Sequence, residues 1–274
     1  MSKPLEKAVI MARGLGTRMR KAEAEASALS DDQKSIAQTG VKAMIPIGRP
    51  FLDYVISALA DSGIRRVCLV IGPEHEQLQS YYTVTSRPSR VSVEFAIQEK
   101  PLGTANAIAA ARAFAADDEF LAMNSDNYYP VSSLLAARQL PGMGLVGFDE
   151  LGLLKGSNIP AERVKGFAVI QSDSNGCLTQ IIEKPSDEVL KTLPRPLWIS
   201  MNLWRFAPPI FDACDAIPLS VRGEYEITDA VRWCMARLNC PFHVAQTSAP
   251  VLDLSYQSDI QPVAELLRGQ EVSL

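Results

Sequence analysis

Apolar positions along this 274-residue chain come in two rhythms, short continuous or alternating runs and 3.6-residue stripes, and the two follow one another in turn. Residues 8–11, Arg66–Ile71 and 120–123 are apolar runs of strand length. Val91, Val93, Phe95 and Ile97 alternate with polar or small residues, the pattern of a half-buried strand. Between the first two runs, Leu52, Val55, Ile56 and Leu59 fall at i, i+3, i+4 and i+7 and stop at Gly63, which predicts an amphipathic helix with a C-terminal stop. A helix is expected over 74–82, and an alanine-rich one from Thr104, its candidate cap, through Phe114. Beyond residue 130 the pattern shifts. A short strand over 144–148 precedes two runs, 167–171 and 177–182, joined through Asn175-Gly176, the turn of a hairpin. A strand over Trp198–Phe206, a helix from 224–228 through Arg237, a short strand over 242–245 and a last helix from Gln257 through Leu267 complete the chain. The fold class is therefore α/β, a Rossmann-like doubly wound mixed sheet with antiparallel additions in the C-terminal half. No linker, composition break or repeat divides it, so residues 1–274 read as one domain.

Composition changes this picture little. With 47% hydrophobic residues the chain can bury a sizeable core, and a net charge of −4 does not suit a polyanion-coating surface, so nucleic acid is not the expected partner. No apolar run approaches the roughly 18 residues that span a bilayer, and the N-terminus lacks the basic-then-apolar pattern of a signal peptide, so a cytoplasmic protein without a membrane partner is expected. Five cysteines without a CxxC read as reduced core thiols, and His75 and His243 stand apart from them.

The candidate chemistry sits where predicted strands end. The first strand runs into Ala12-Arg13-Gly14-Leu15-Gly16-Thr17-Arg18, a glycine-rich turn whose backbone N–H groups can approach a phosphate. It is neither GxGxxG, since residue 19 is Met, nor a P-loop, since no GK[ST] follows. Arg18 adds a cationic fork suited to phosphate. Residues 20–41, with Glu23, Glu25, Asp31 and Asp32, read as a mobile polar excursion with some helical character, a lid that closes on Lys42. Gln98 ends a strand before a glycine loop, where an amide either reads a nucleobase edge or is merely solvated. Asp126, in Asn124-Ser125-Asp126-Asn127, ends the 120–123 strand; alone it is as well explained as a turn former. Glu183 and Lys184 leave the hairpin together, Asn202 is a polar residue on a strand of large ones, and Asp253 is bracketed by apolar residues.

As an ordered set these motifs are more specific than any one of them. GLGTRM after the first strand, Lys42 before Met-Ile-Pro-Ile, EKPLGTA at 99–105, NSDN at 124–127, IIEKP at 181–185, GEYEITDA at 223–230 and Asp253 resemble the sugar-1-phosphate nucleotidyltransferases, or NDP-sugar pyrophosphorylases, over nearly the whole chain. The resemblance implies a GT-A-like nucleotidyltransferase domain whose 1–130 half takes an NTP, UTP or dTTP by family habit, and whose 131–274 half takes a sugar 1-phosphate. It implies that Ala12, Gly14, Gly16, Thr17, Arg18, Gln98, Gly103 and Thr104 bind the nucleotide and that Gly166, Glu183, Lys184 and Asn202 bind the sugar phosphate. Asp126 and Asp253 would hold Mg²⁺, and Arg18, Lys42, Asp126 and Lys184 would carry catalysis. A homo-oligomer is compatible with it. The chain departs from the pattern at Arg13, which would add a charge beside the phosphates, and at Ser125, where the family has Ala and Gly. Ala43 replaces a Pro, and Ser255-Tyr256 replaces the Gly-Thr after the second acid. A non-catalytic NDP-sugar sensor and a transferase for a cyclitol or other non-sugar phosphate are the alternatives.

Overall fold

The computed structural model describes residues 4–21 and 29–274. Its strands are β1 (Lys7–Met11), β2 (Arg66–Ile71), β3 (Ser92–Ile97), β4 (Phe120–Asn124), β5 (Asn127–Tyr128), β6 (Gly144–Asp149), β7 (Ala168–Ser172), β8 (Leu178–Ile182), β9 (Trp198–Phe206), β10 (His243–Thr247) and β11 (Leu252–Asp253). The main sheet runs β10-β6-β9-β4-β1-β2-β3, with β7 on β9 and β8 on β7. β1 pairs in parallel with both β2 and β4, and β2 with β3. Strands β1 and β4 are apolar on both faces because both faces are covered, as parallel sheets require. One core cluster includes Leu52, Val55, Ile56 and Leu59 of the helix Phe51–Asp61, the stripe read from the sequence. The other gathers Ala105 and Ile108, Ile210 and Phe211, and Ala230 and Val231 on the opposite face. Among the described residues no helix is long and apolar enough to cross a membrane.

The antiparallel additions belong to the second half. β9 runs antiparallel to β4 and β6, and β7 and β8 form the expected hairpin, its turn held by Asp173 Oδ1 accepting from the N–H groups of Asn175 and Cys177. Gly176 takes φ +75°, which the turn requires.

Several expectations are refined. The helix begun at Thr104 breaks at Ala111 and resumes over Arg112–Ala115. Thr104 does not cap its own helix; Gly103 occupies the cap position, and Thr104 Oγ1 instead accepts from Ile227 N, 2.9 Å, at the start of the helix Ile227–Arg237. The 74–82 helix is a shorter one, Glu76–Ser80, followed by a π-helical turn over Tyr81–Thr85. Both tyrosines there donate to Asp53, a fully buried carboxylate also bound by Arg49, and one tertiary partner for two adjacent hydroxyls accounts for a widened turn. Within the polar segment 20–41, Asp31–Thr39 is a helix with a Ser30–Gln33 capping box, acids in its first turn and a left-handed Gly40 behind it. Glu23 and Glu25 lie outside the described residues.

Of the cysteines, Cys68, Cys214 and Cys234 are buried, and burial pushes each thiol up to about 12. Cys177 and Cys240 are only half-buried, so the expectation of core thiols holds for three of the five.

Candidate active site

Parallel pairing brings the carboxyl ends of β1, β2, β3 and β4 to one edge, where open α/β sheets place their ligands. The loop after β1 departs there. Ala12 N still donates to Val70 O, and Arg20 N returns to Gly16 O, but among the described residues the N–H groups from Arg13 through Met19 meet no backbone acceptor. A row of unspent N–H groups facing a cleft is a cradle for anionic oxygens. Gly16, at φ +59°, is packed directly on the backbone of Gly40, so the helix Asp31–Thr39 braces the loop through two glycines. Arg13 corrects the sequence reading. Its guanidinium donates to the Gln98 carbonyl and to both oxygens of Glu74, 3.2 and 3.3 Å, and so is neutralised by the protein instead of adding free charge beside the phosphates.

Across this cleft of about 380 Å³, lined by Met11 to Thr17, Lys42, Gln98, Gly103, Thr104, Asn124 to Asp126 and Glu224, lies the candidate base reader. Gln98 is 5% exposed, which removes the solvated reading. Its amide donates to the carbonyl of Gly103 at 3.1 Å and to Asn106 Oδ1 at 2.9 Å, which fixes the amide's orientation. Gly103, φ +110°, is stitched to the 223–226 loop by Tyr225 N→Leu102 O and Ala105 N→Tyr225 O, 2.7 and 2.9 Å. A Cβ there would meet Tyr225 O at 2.6 Å, so only glycine admits this close approach. The GEYE motif thus holds the Gly103 loop in place, a role no local signal announces.

Asp126 follows β4 in a turn. Its carbonyl accepts from Leu254 N, 2.8 Å, and its carboxylate accepts from Lys42 Nζ, 2.7 Å. Lys42, which precedes the altered Ala43, therefore stands beside the first acid. The second acid arrives through β5 and β11, a two-stranded antiparallel ribbon in which Asn127 faces Asp253 and donates to its Oδ2 at 3.1 Å. Asp253 is 5% exposed. Burial, reinforced by the charge of Asp126 and only partly offset by Arg163, raises its pKa to about 6.

A second cleft, about 360 Å³, shares Gly14 to Thr17, Lys42, Asn124 and Asp126 with the first and adds Arg18, Asn127, Phe167, Ser200 to Asn202, Asp253 and Ser255. Asn202 sits at φ +59°, where β9 changes partners, and its Oδ1 accepts from Trp204 Nε1 at 3.3 Å, so the strand supplies part of the partnership the sequence assigned to a ligand. Gly166, Glu183 and Lys184 do not line either cleft as it stands. Glu183 and Lys184 are exposed at the exit of β8, Lys184 at φ +43°. The register Val169↔Ile182 and Ala168↔Ser200 puts that exit at the same end of the ribbon as Phe167 and Ser200, which do line the second cleft.

The donor set suits a hard cation. Two carboxylates face one space, each oxygen-only, and no group of three or more His, Cys, Asp or Glu forms a cage among the described residues. One or two carboxylates completed by phosphate oxygens and water is the coordination Mg²⁺ favours. Because a proton competes for Asp253, Mn²⁺ affinity of the free protein, followed by paramagnetic titration, is expected to fall about tenfold between pH 7.5 and 5, as deprotonated ligands are required. A flat profile would place the cation away from Asp253.

Residues 7–248 match the model of the nucleotidyl transferase family. The chain belongs to this family. Nucleotidyl transferases generally use a divalent metal. The Haloferax volcanii low-salt glycan biosynthesis nucleotidyltransferase Agl11 is 29% identical over 231 residues, 82% of this chain and 56% of that one. A Streptomyces griseus glucose-1-phosphate thymidylyltransferase is 29% identical over 83% of this chain and 56% of its own length. The chain thus spans little more than half of these two relatives. The Haloferax volcanii UTP–glucose-1-phosphate uridylyltransferase AglF is 26% identical over 96% of this chain and 97% of its own. A solved UDP-glucose pyrophosphorylase from Acinetobacter baumannii shares the fold at TM-score 0.72 and 18% identity, covering 98% of this chain and 95% of that one.

The sequence assigned no role to Asn106, which accepts from Gln98; to Asn127, which donates to Asp253; to Asn158, which donates to the Asp253 carbonyl at 2.7 Å and accepts from its N–H at 2.9 Å; or to Arg163 and Tyr256 of this nucleotidyl transferase. Asn127 and Asn158 reach Asp253 from 126 and 95 residues away, the first at its carboxylate and the second at its backbone, whereas Asn106 lies only 8 residues from Gln98. Asn127 carried a signal as part of the NSDN motif and Tyr256 as a departure from the Gly-Thr of the resembling family.

Proposed function

We propose that the protein transfers a nucleotidyl group from an NTP, UTP or dTTP, to a sugar 1-phosphate in the presence of Mg²⁺, releasing pyrophosphate and an NDP-sugar. The observation that carries this reading is the meeting of two clefts, one glycine-rich and one acid-lined, at Lys42 and Asp126. A donor phosphate in the first and an acceptor phosphate in the second would approach one another across that pair. The similarity to glucose-1-phosphate thymidylyl- and uridylyltransferases supports the substrate class.

The N–H groups after Arg13 would cradle the triphosphate, with Arg18 beside them. Gln98 would meet the base edge with its side-chain oxygen Oε1, since its side-chain nitrogen is spent on Gly103 and Asn106. Asp126 and Asp253 would hold Mg²⁺, which when bound supplies Lewis-acid charge to the reacting phosphates. Lys42 would exchange its contact with Asp126 for phosphate oxygens. Glu183 and Asn202 would meet sugar hydroxyls and Lys184 the sugar phosphate. The acceptor is anionic near neutral pH, so these side chains align two anions in line and offset their repulsion, and no proton needs to be removed.

Pyrophosphate release from each NTP paired with glucose-, mannose- and amino-sugar 1-phosphates tests the reading. Turnover with a uridine or thymidine triphosphate is expected; a folded protein that turns over no pair with Mg²⁺ sinks it. Lys184→Ala is expected to raise the KM for sugar 1-phosphate roughly tenfold or more, since a charge-assisted phosphate contact is lost. A change confined to the NTP would place Lys184 elsewhere.

A further inference from the structure

Asp253 reaches the site with both carboxylate oxygens already held. Besides Asn127 on Oδ2, Arg163 Nη2 donates to Oδ1 at 2.8 Å. The other terminal nitrogen of Arg163 donates to both oxygens of Asp259, 2.8 and 3.1 Å. Asp259 is in turn fixed by the N–H groups of Ser255 and Tyr256, 2.9 and 2.8 Å. Arg163 is therefore anchored at one end and presses on the acid with the other. Its guanidinium also lies over the Tyr256 ring, 5.2 Å from the centroid. A second guanidinium, Arg18, lies over the same ring at 5.8 Å. Among the described residues Arg18 makes no side-chain hydrogen bond or ion pair, so this ring is what holds it.

Two cations that would otherwise repel share one aromatic quadrupole. One belongs to the loop that faces a triphosphate, the other to the acid on the metal side. We infer that Tyr256 is a positioning residue for the transfer proposed above: its ring sets Arg18 at the phosphate loop and Arg163 against Asp253, coupling phosphate recognition to the second acid. The inference rests on that reading of the site. Ser255-Tyr256 stands where the resembling family carries Gly-Thr, so the ring is a feature of this chain.

Tyr256→Phe and Tyr256→Leu in the full chain test it through Mn²⁺ affinity of the free protein, NTP binding, steady-state kinetics and thermal midpoint. The Phe variant keeps the quadrupole and is expected within about twofold of the parent in every readout, whereas Leu is expected to weaken Mn²⁺ and NTP binding about fivefold each. Because Arg18 lines the second cleft, the KM for sugar 1-phosphate is expected to rise with Leu and to stay within about twofold with Phe. In an Arg18→Met background the further effect of Leu on NTP should vanish. Several results overturn the inference: Leu behaving as Phe, only the thermal midpoint moving, additive effects in the double variant, or tighter Mn²⁺ binding by Leu, which would make Arg163 a competitor of the cation. Tyr256 is half-buried, and Tyr256→Thr replaces Leu with the same outcomes where the Leu chain does not fold. Absence of turnover in the parent would remove the proposed reaction, while the Mn²⁺ and NTP titrations would still decide the role of the ring.

Discussion

Asp126→Asn is expected to leave the fold intact and to lower divalent-dependent turnover by roughly two to three orders of magnitude, the scale on which removing a preorganised polar group from an active site acts. The fold should survive because the carboxylate takes no part in the packing. The backbone of Asp126 makes the structural contact, its carbonyl accepting from Leu254 N, while the side chain is 21% exposed and, among the described residues, pairs with Lys42. Asn is isosteric, so the turn keeps its shape. What disappears is a full negative charge at the junction of the two clefts, and with it the proposed ligand for the cation and the counter-ion of Lys42. Removing that charge also relieves one of the causes that raise the pKa of Asp253, so the remaining acid should ionise at lower pH than in the parent. Pyrophosphate release, with thermal unfolding as the control for folding, checks the expectation. Near-normal turnover would return Asp126 to the rank of turn former.

The glycines of the first loop should respond in opposite ways. Gly16→Ala is expected to destabilise the protein by about 2 kcal/mol or more, because φ +59° is strained for any residue with a Cβ and this one would be driven into the backbone of Gly40. Neither backbone can yield cheaply, since Gly40 is the left-handed stop of the helix Asp31–Thr39 and a Cβ of its own would meet Leu15 O at 2.7 Å. Gly14→Ala meets nothing within 4 Å, so its stability should stay within about 0.5 kcal/mol of the parent. Its methyl would nevertheless project into the cleft and raise the KM for NTP. Denaturant unfolding separates the first effect and steady-state kinetics the second. A Gly16→Ala protein as stable as the parent would mean that the loop does not rest on Gly40.

Much of the fold could be read from one dimension because it rests on local periodicity. The buried parallel strands announce themselves as apolar runs, the helix Phe51–Asp61 by its stripe and Gly63 stop, and the hairpin by Asn175-Gly176. Misreadings fell where a distant partner overrides local preference. Thr104, a sound N-cap by type, caps a helix 123 residues away, and Tyr81 and Tyr82 widen their helix to reach a buried Asp53. Arg13 looked like a free charge because Glu74 is 61 residues distant.

By itself, then, the sequence determined where the candidate chemistry lies along the chain, because strand ends with glycine, acid and base at ordered positions are local patterns. It also determined the α/β class, since apolar periods of two and 3.6 follow from backbone geometry. Tertiary structure alone decided that Lys42 faces Asp126 and that Asp253 comes to the same space, 126 residues after Asn127, on a two-residue ribbon too short to leave a pattern. It also decided that Arg163 and Arg18 meet on Tyr256. Those contacts depend on register between strands far apart in the chain, which is set by packing of the whole sheet and not by any segment's own composition.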